Sequence, residues 1–281
     1  MPQIEGGIRI KHILIFILVL LASIKPAAAI EDKEPLWEAG LGAACLYLPD
    51  YRGADRSRLY VLPFPYFIYR GDFLRVDEDL VSGRLFETDR VLLDVSFFGS
   101  LPVESDGNSA RHGMPDLDPT FEVGPALDIS LLKNYRDRYE LSVNLPVRAV
   151  FSTDFSSIRH RGWSFSPRLN FEVRDIIADS GIDFGLSAGP FFADDAYHDY
   201  YYTVKPAYQT PSRPAYDAGS GYSGSTLTMG LKKRLNSIIL HGFISMDALG
   251  GAVFADSPLV KTRHSFMGGF TITWIFFKSD G

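Results

Sequence analysis

The sequence predicts an all-β fold, an antiparallel transmembrane β-barrel of the outer-membrane type with about 12 strands (10 possible). Three observations predict it: an export signal at the N-terminus, long stretches of strict two-residue alternation, and ionisable side chains on the polar face of those stretches. The chain has 281 residues, 46% of them hydrophobic and 14% aromatic, with a formal net charge of −6. That composition excludes wholesale disorder, and the acidic balance excludes a binder of nucleic-acid backbones. A single cysteine, Cys45, cannot form an internal disulfide or a thiolate metal cluster, and reads as a small packed residue.

Arg9, Lys11 and His12 precede an apolar run from Ile13 to Ala22, and Ala27-Ala28-Ala29 follows. This is the layout of a secretory signal peptide, with cleavage expected after Ala29. The domain reading is therefore residues 1–29 as a cleaved signal and 30–281 as one barrel domain. The apolar run is about half the roughly 20 residues that a spanning helix needs, and charged residues, Gly or Pro interrupt every later one. An acylation box ending at Cys45 is discounted because it lies far beyond the apolar run.

In chain order, weaker alternation runs from Trp37 to Tyr47, Tyr60 to Tyr69 and Val91 to Leu101, with short candidates at Phe73–Leu80 and Ser82–Glu87. The pattern is clearest from Phe121, where Phe121, Val123, Pro125, Leu127, Ile129 and Leu131 oppose Glu122, Gly124, Ala126, Asp128 and Ser130. Tyr139 to Ala149 repeats it, and Trp163 to Arg174 reads as one further strand. Ile182–Phe192, a short piece at Tyr200–Val204, Thr226–Arg234 and Ile238–Ala248 follow. The last strand sets Phe266, Phe270, Ile272, Trp274 and Phe276 on one face.

Spanning strands need about 9 to 11 residues, whereas sandwich strands are usually nearer 5 to 6, and the best segments match the spanning length. Glu122, Asp128, Glu140, Arg148, Arg168 and Glu172 occupy the alternate face, which a wet or salt-bridged lumen accommodates and a sandwich core does not. Tyr47, Tyr66, Tyr69, Tyr139 and Trp163 fall near strand ends, where interfacial belts sit.

Several blocks then carry a family resemblance. Gly40-Leu41-Gly42, Pro49-Asp50-Tyr51-Arg52-Gly53, Leu62-Pro63-Phe64-Pro65-Tyr66 and Tyr69-Arg70-Gly71 come first. Asp199-Tyr200-Tyr201-Tyr202-Thr203-Val204, Arg213-Pro214-Ala215-Tyr216-Asp217-Ala218-Gly219 and Asp256-Ser257-Pro258-Leu259-Val260 follow. In order and spacing these resemble the MltA-interacting protein (MipA/OmpV) family over nearly the whole mature chain. The motif positions are Pro49, Asp50, Tyr51, Gly53, Pro63, Tyr69, Gly71, Tyr201, Tyr216, Ser257 and Pro258, with no role assigned to any of them. The resemblance implies an outer-membrane barrel, in contact with outer-membrane lipid, that serves as a scaffold joining a lytic murein transglycosylase to a peptidoglycan synthase. A passive channel, an adhesin and an outer-membrane hydrolase are the other readings. The usual terminal aromatic residue is followed here by Lys278-Ser279-Asp280-Gly281.

No catalytic residue, cofactor or metal is expected. Asp194, Asp195, His198 and Asp199 contain metal-ligand types, but loop carboxylates without a Ca²⁺-loop spacing read as solvated. Gly219-Ser220-Gly221-Tyr222-Ser223-Gly224 spells a phosphate-cradling motif without the helix it needs. His241, Ser245 and Asp247 share one strand face, where pairs of residues lie about 6.6 Å apart and cannot form a triad unaided. Asp77-Glu78-Asp79 reads as a polar turn, and Lys232-Lys233-Arg234 as an interfacial basic run.

Overall fold

The computed structural model describes residues 35–70, 74–76, 81–83, 86–88, 90–134 and 138–279. The signal segment, Gly71 and Asp77-Glu78-Asp79 lie outside the described residues.

The strands are β1 (Trp37–Pro49), β2 (Ser57–Arg70), β3 (Leu74–Val76), β4 (Val81–Gly83), β5 (Phe86–Glu87), β6 (Val91–Ser100) and β7 (Thr120–Asn134). They continue as β8 (Tyr139–Thr153), β9 (Ile158–Phe165), β10 (Arg168–Val173) and β11 (Ile182–Ala193). Helix α1 (Asp195–Tyr202) precedes β12 (Gly221–Leu235), β13 (Ile238–Ala248) and β14 (His264–Lys278). All pair antiparallel in one sheet, and the first strand pairs with the last through Glu38↔Lys278 to Tyr47↔Gly268. The sheet path ends at β4 and β5, which only residues 84–85 separate in the chain.

β9 and β10 share the neighbours β8 and β11, so they are two halves of one strand. Counted so, the described residues hold thirteen strands, against the twelve or so expected. The expected single strand from Trp163 to Arg174 is interrupted at Ser166-Pro167, because Pro167 has no N–H to give the ladder. The phase survives the break, and Trp163 and Leu169 both face outward.

Alternation sets the two faces. On β7, Glu122 and Ala126 are buried while Pro125 and Leu131 are exposed, and on β14 Trp274 is 60% exposed beside Phe266 and Ile272. A register shift at Ser130/Leu132 inserts one residue, so Leu131 and Leu132 both turn outward. Two expectations are corrected here. Cys45 is exposed on the outward face of β1 because its parity is that of Leu41 and Tyr47. Tyr66 points inward and packs with Ile68, Ile239 and Ile275, because on β2 the outward parity belongs to Leu59, Val61 and Phe67.

The connections are sorted by end. Segments 50–56, 101–119, 154–157, 194–220 and 249–263 gather at one end, while 174–181 and 236–237 turn at the other. In outer-membrane barrels the short turns are periplasmic and the long loops external.

Candidate functional site: a stitched cap over a two-sided lumen

The long connections form a cap with its own core. Tyr51, Val103, Leu117, Tyr201, Tyr202, Leu249, Phe254 and Leu259 pack in one buried cluster drawn from four separate loops. The Tyr202 and Phe254 rings stack with centroids 3.6 Å apart and planes 5° from parallel. Such burial is the main stabilising term available to loops without a sheet.

Helix α1 replaces the short strand expected at Tyr200–Val204. Asp194 caps it, its Oδ1 accepting the Tyr197 N–H at 3.0 Å, and Tyr197, His198, Tyr201 and Tyr202 form the buried stripe of a helix. Tyrosine favours strands in isolation, but one-sided burial over the barrel mouth decides the conformation. Only the end of the expected strand pairs, through a bridge between Val204 and Tyr216.

Hydrogen bonds stitch the loops to each other. Tyr51 Oη donates to the Leu259 carbonyl at 2.8 Å, Tyr202 Oη to the Arg52 carbonyl at 3.0 Å, and Ser257 Oγ to the Tyr202 carbonyl at 2.7 Å. Gly53 donates its N–H to Ser265 Oγ and its carbonyl accepts from Lys261 and Thr262. Its φ of +91° and the crowding of Leu249 and Val260 explain why glycine stands there. Asp50 accepts from Arg58 and Asn108, and Arg213 donates to the carbonyls of Ala110 and His112. Burial raises the Tyr51 and Tyr202 phenols well above their ordinary value and pushes Tyr200 up to about 12, so all three remain neutral donors.

Most of the motif positions therefore converge. Pro49, Asp50, Tyr51, Gly53, Tyr201, Tyr216, Ser257 and Pro258 lie in or at the edge of the cap, whereas Pro63 and Tyr69 lie on β2. Comparable stitching comes from Arg52 and Arg213, which stand inside the motif blocks, and from Asn108 and Arg111, which do not. For Asn108 and Arg111 the only signal in the sequence is position, as hydrogen-bonding side chains within a turn-rich segment.

Beneath the cap the lumen has two unlike sides. Along β6 to β13 it is polar: Arg148 donates to Ser96 and Ser166, Ser164 to Glu122, Asn144 to Asp128, and Thr226 to Asp247. Near β1 and β2 it is apolar, with Phe64 filling the space over Gly42 and Tyr66, Ile68, Ile239 and Ile275 packed below. At the short-turn end Arg234 forms a bidentate pair with the fully buried Glu38.

The remaining chemical candidates are dispersed. Asp247 pairs with Arg52 and Ser245 with Thr228, while His241 lies against Phe243. Asp194 is a helix cap, and Asp199 accepts from Thr203. His198 is fully buried, its Nδ1 2.6 Å from the Gly219 carbonyl and its Nε2 2.7 Å from Ser223 Oγ. Among the described residues, no group of three or more His, Cys, Asp or Glu is placed to hold a metal ion. Gly219 to Gly224 leads into β12, not into a helix.

Comparison with solved structures finds weak likenesses. An outer membrane channel from Pseudomonas putida F1 is 12% identical with a TM-score of 0.44, covering 90% of this chain and 100% of that one. Outer membrane phospholipase A from Escherichia coli is 11% identical with a TM-score of 0.36, covering 84% and 92%. Likeness at this level assigns neither activity nor substrate. Comparison with curated proteins finds no match. The family model described as MltA-interacting protein MipA matches residues 41–276, in agreement with the motif blocks, and the chain belongs to that family.

Proposed function

We propose that the chain is a non-catalytic outer-membrane scaffold that docks peptidoglycan-remodelling enzymes, a lytic murein transglycosylase together with a peptidoglycan synthase. In this reading residues 1–29 are removed on export and 30–281 form one barrel domain in contact with outer-membrane lipid. The observation that carries it is the turn between β10 and β11. There Ile176 and Ile177, the latter 59% exposed, stand at the short-turn rim, on the side where cell-wall enzymes work. Asp175 orders this turn by accepting the backbone N–H groups of Asp179 and Gly181.

The test is affinity capture of a purified lytic transglycosylase by the exported full chain. Ile176→Asp and Ile177→Asp are expected to abolish capture while the protein still shifts on unboiled gels. Undiminished capture by both variants, or none by the parent chain, sinks the docking surface.

The polar side of the lumen favours a passive channel as the second reading. Conductance in planar bilayers separates the two, since a capped scaffold gives no single-channel steps.

A further inference from the structure

Just beneath the cap, one row of the lumen wall carries guanidinium groups that the wall itself does not neutralise. Cross-strand pairs trace the row: Ser96↔Gly124 joins β6 to β7, while Gly189↔Thr226, Thr226↔Asp247 and Asp247↔Ser265 run from β11 to β14. Between them stand Arg148 on β8 and Arg168 on β10, on either side of the break at Ser166-Pro167. Arg168 shares the inward parity of its partner Asn144, whose amide holds Asp128 on the same face.

The arginines of this row are satisfied unequally. Arg52, reaching down from the cap, is neutralised by Asp247. Arg148 is only 6% exposed and yet donates to hydroxyls alone, Nε and Nη2 to Ser96 Oγ at 2.9 and 2.7 Å and Nη1 to Ser166 Oγ at 3.2 Å. Among the described residues, Arg168 makes no side-chain hydrogen bond or ion pair. Glu122 acts on both guanidinium groups through its charge, but it accepts from Ser164 at 2.8 Å and forms an ion pair with neither. A guanidinium carries five N–H donors in a planar fork, and withdrawing it from water without a counter-charge is costly.

The wall beside each of these side chains is bare. A Cβ on Gly124 would lie 2.8 Å from Arg148 Cα, and one on Gly189 would lie 3.0 Å from Arg168 Cα. Neither position therefore carries a side chain over its neighbouring arginine. Nearer the short turns, Asp94 and Asp128 present carboxylates to the same lumen. They repel a second negative charge, which limits a ligand to one anionic group.

We propose that Arg148 and Arg168 form an oxyanion site beneath the cap, which holds the carboxylate or phosphate group of a small solute with a single anionic end. The guanidinium fork matches either group bidentately. Arg52, already held by Asp247, bounds the site on the cap side. The site depends neither on enzyme docking nor on conduction through the lumen.

The experiment uses the full exported chain in detergent, with inorganic phosphate or acetate replacing chloride at constant ionic strength. The unfolding midpoint is expected to rise with either anion and to saturate, because a ligand bound only by the folded chain stabilises it. Arg168→Gln is expected to weaken the apparent affinity by about tenfold or more, through loss of a charge-assisted hydrogen bond, and Arg168→Lys to recover part of it. A midpoint that ignores both anions, or that climbs equally in Arg168→Gln, overturns the site. Should Arg168→Gln fail to fold, crystals of the parent chain soaked in bromide decide. An anomalous peak between Arg148 and Arg168 supports the site, and the absence of one there overturns it.

Discussion

Arg52 and Asp247 join the cap to the barrel wall: Arg52 Nε lies 3.1 Å from Asp247 Oδ2, and its Nη2 donates to Oδ1 at 3.1 Å. The guanidinium also sits 4.9 Å from the centre of the Phe191 ring, which faces the lumen from β11. Arg52→Ala strands a buried carboxylate, and breaking such a pair costs about 3–5 kcal/mol. The expected outcome is a lower urea midpoint in detergent and faster proteolysis within 101–119 and 249–263. An unchanged cleavage rate would show that the pair does not hold the cap.

The Tyr202–Phe254 stack is the centre of the cap core. Tyr202→Ala is expected to cost about 3–5 kcal/mol, whereas Tyr202→Phe keeps the stack, loses the bond to the Arg52 carbonyl, and costs about 1 kcal/mol. Comparing the two by denaturant unfolding separates packing from hydrogen bonding.

His198 gives the cap a pH dependence. Burial lowers its pKa below the ordinary value, and the Gly219 carbonyl fixes the proton on Nδ1, leaving Nε2 to accept from Ser223. The unfolded chain takes up the proton more readily. The contribution of the neutral ring is thus complete above about pH 6.5 and is lost as pH falls through that value. Unfolding midpoints measured from pH 8 to 5 are expected to drop, and His198→Gln is expected to flatten the curve. A parallel drop in the variant would remove His198 as the cause.

Gly162 lets α1 approach β9. Its φ is +103°, and a Cβ there would fall 2.0 Å from Asp194 Oδ1, the cap of the helix. Gly162→Ala is expected to cost more than the roughly 1 kcal/mol of the backbone term alone and to loosen α1 first, read as faster amide exchange from 195 to 202.

At the other end, Asp175 is held below the usual carboxylate range, chiefly by the Gly181 N–H and further by the Asp179 N–H and Arg138. Its contribution is present above about pH 4 and disappears as pH falls below it. Asp175→Ala is expected to weaken enzyme capture at neutral pH as the turn bearing Ile176 and Ile177 loses its order. Capture equal to the parent chain would mean that the turn geometry is irrelevant to docking.

The strands were legible because alternation is a local property: each residue of β7 or β14 declares its face by parity, whatever lies beyond. Exceptions to that rule came from contacts that parity does not encode. Tyr200 to Tyr202 favour a strand by themselves, yet they fold as helix because burial over the barrel mouth is available on one side only. Tyr66 reads as a belt residue until the phase of β2 turns it inward beside Ile275, more than two hundred residues away.

The sequence by itself determined the barrel class, the order of its strands and, through its motif blocks, the family. Only the tertiary structure decided that Asp50, Tyr51, Gly53, Tyr201 and Ser257 belong to one cap and that Arg52 anchors it to Asp247. The physical reason is range. Pleat and polarity act between neighbours in the chain, while a loop core depends on which distant segments the sheet brings together.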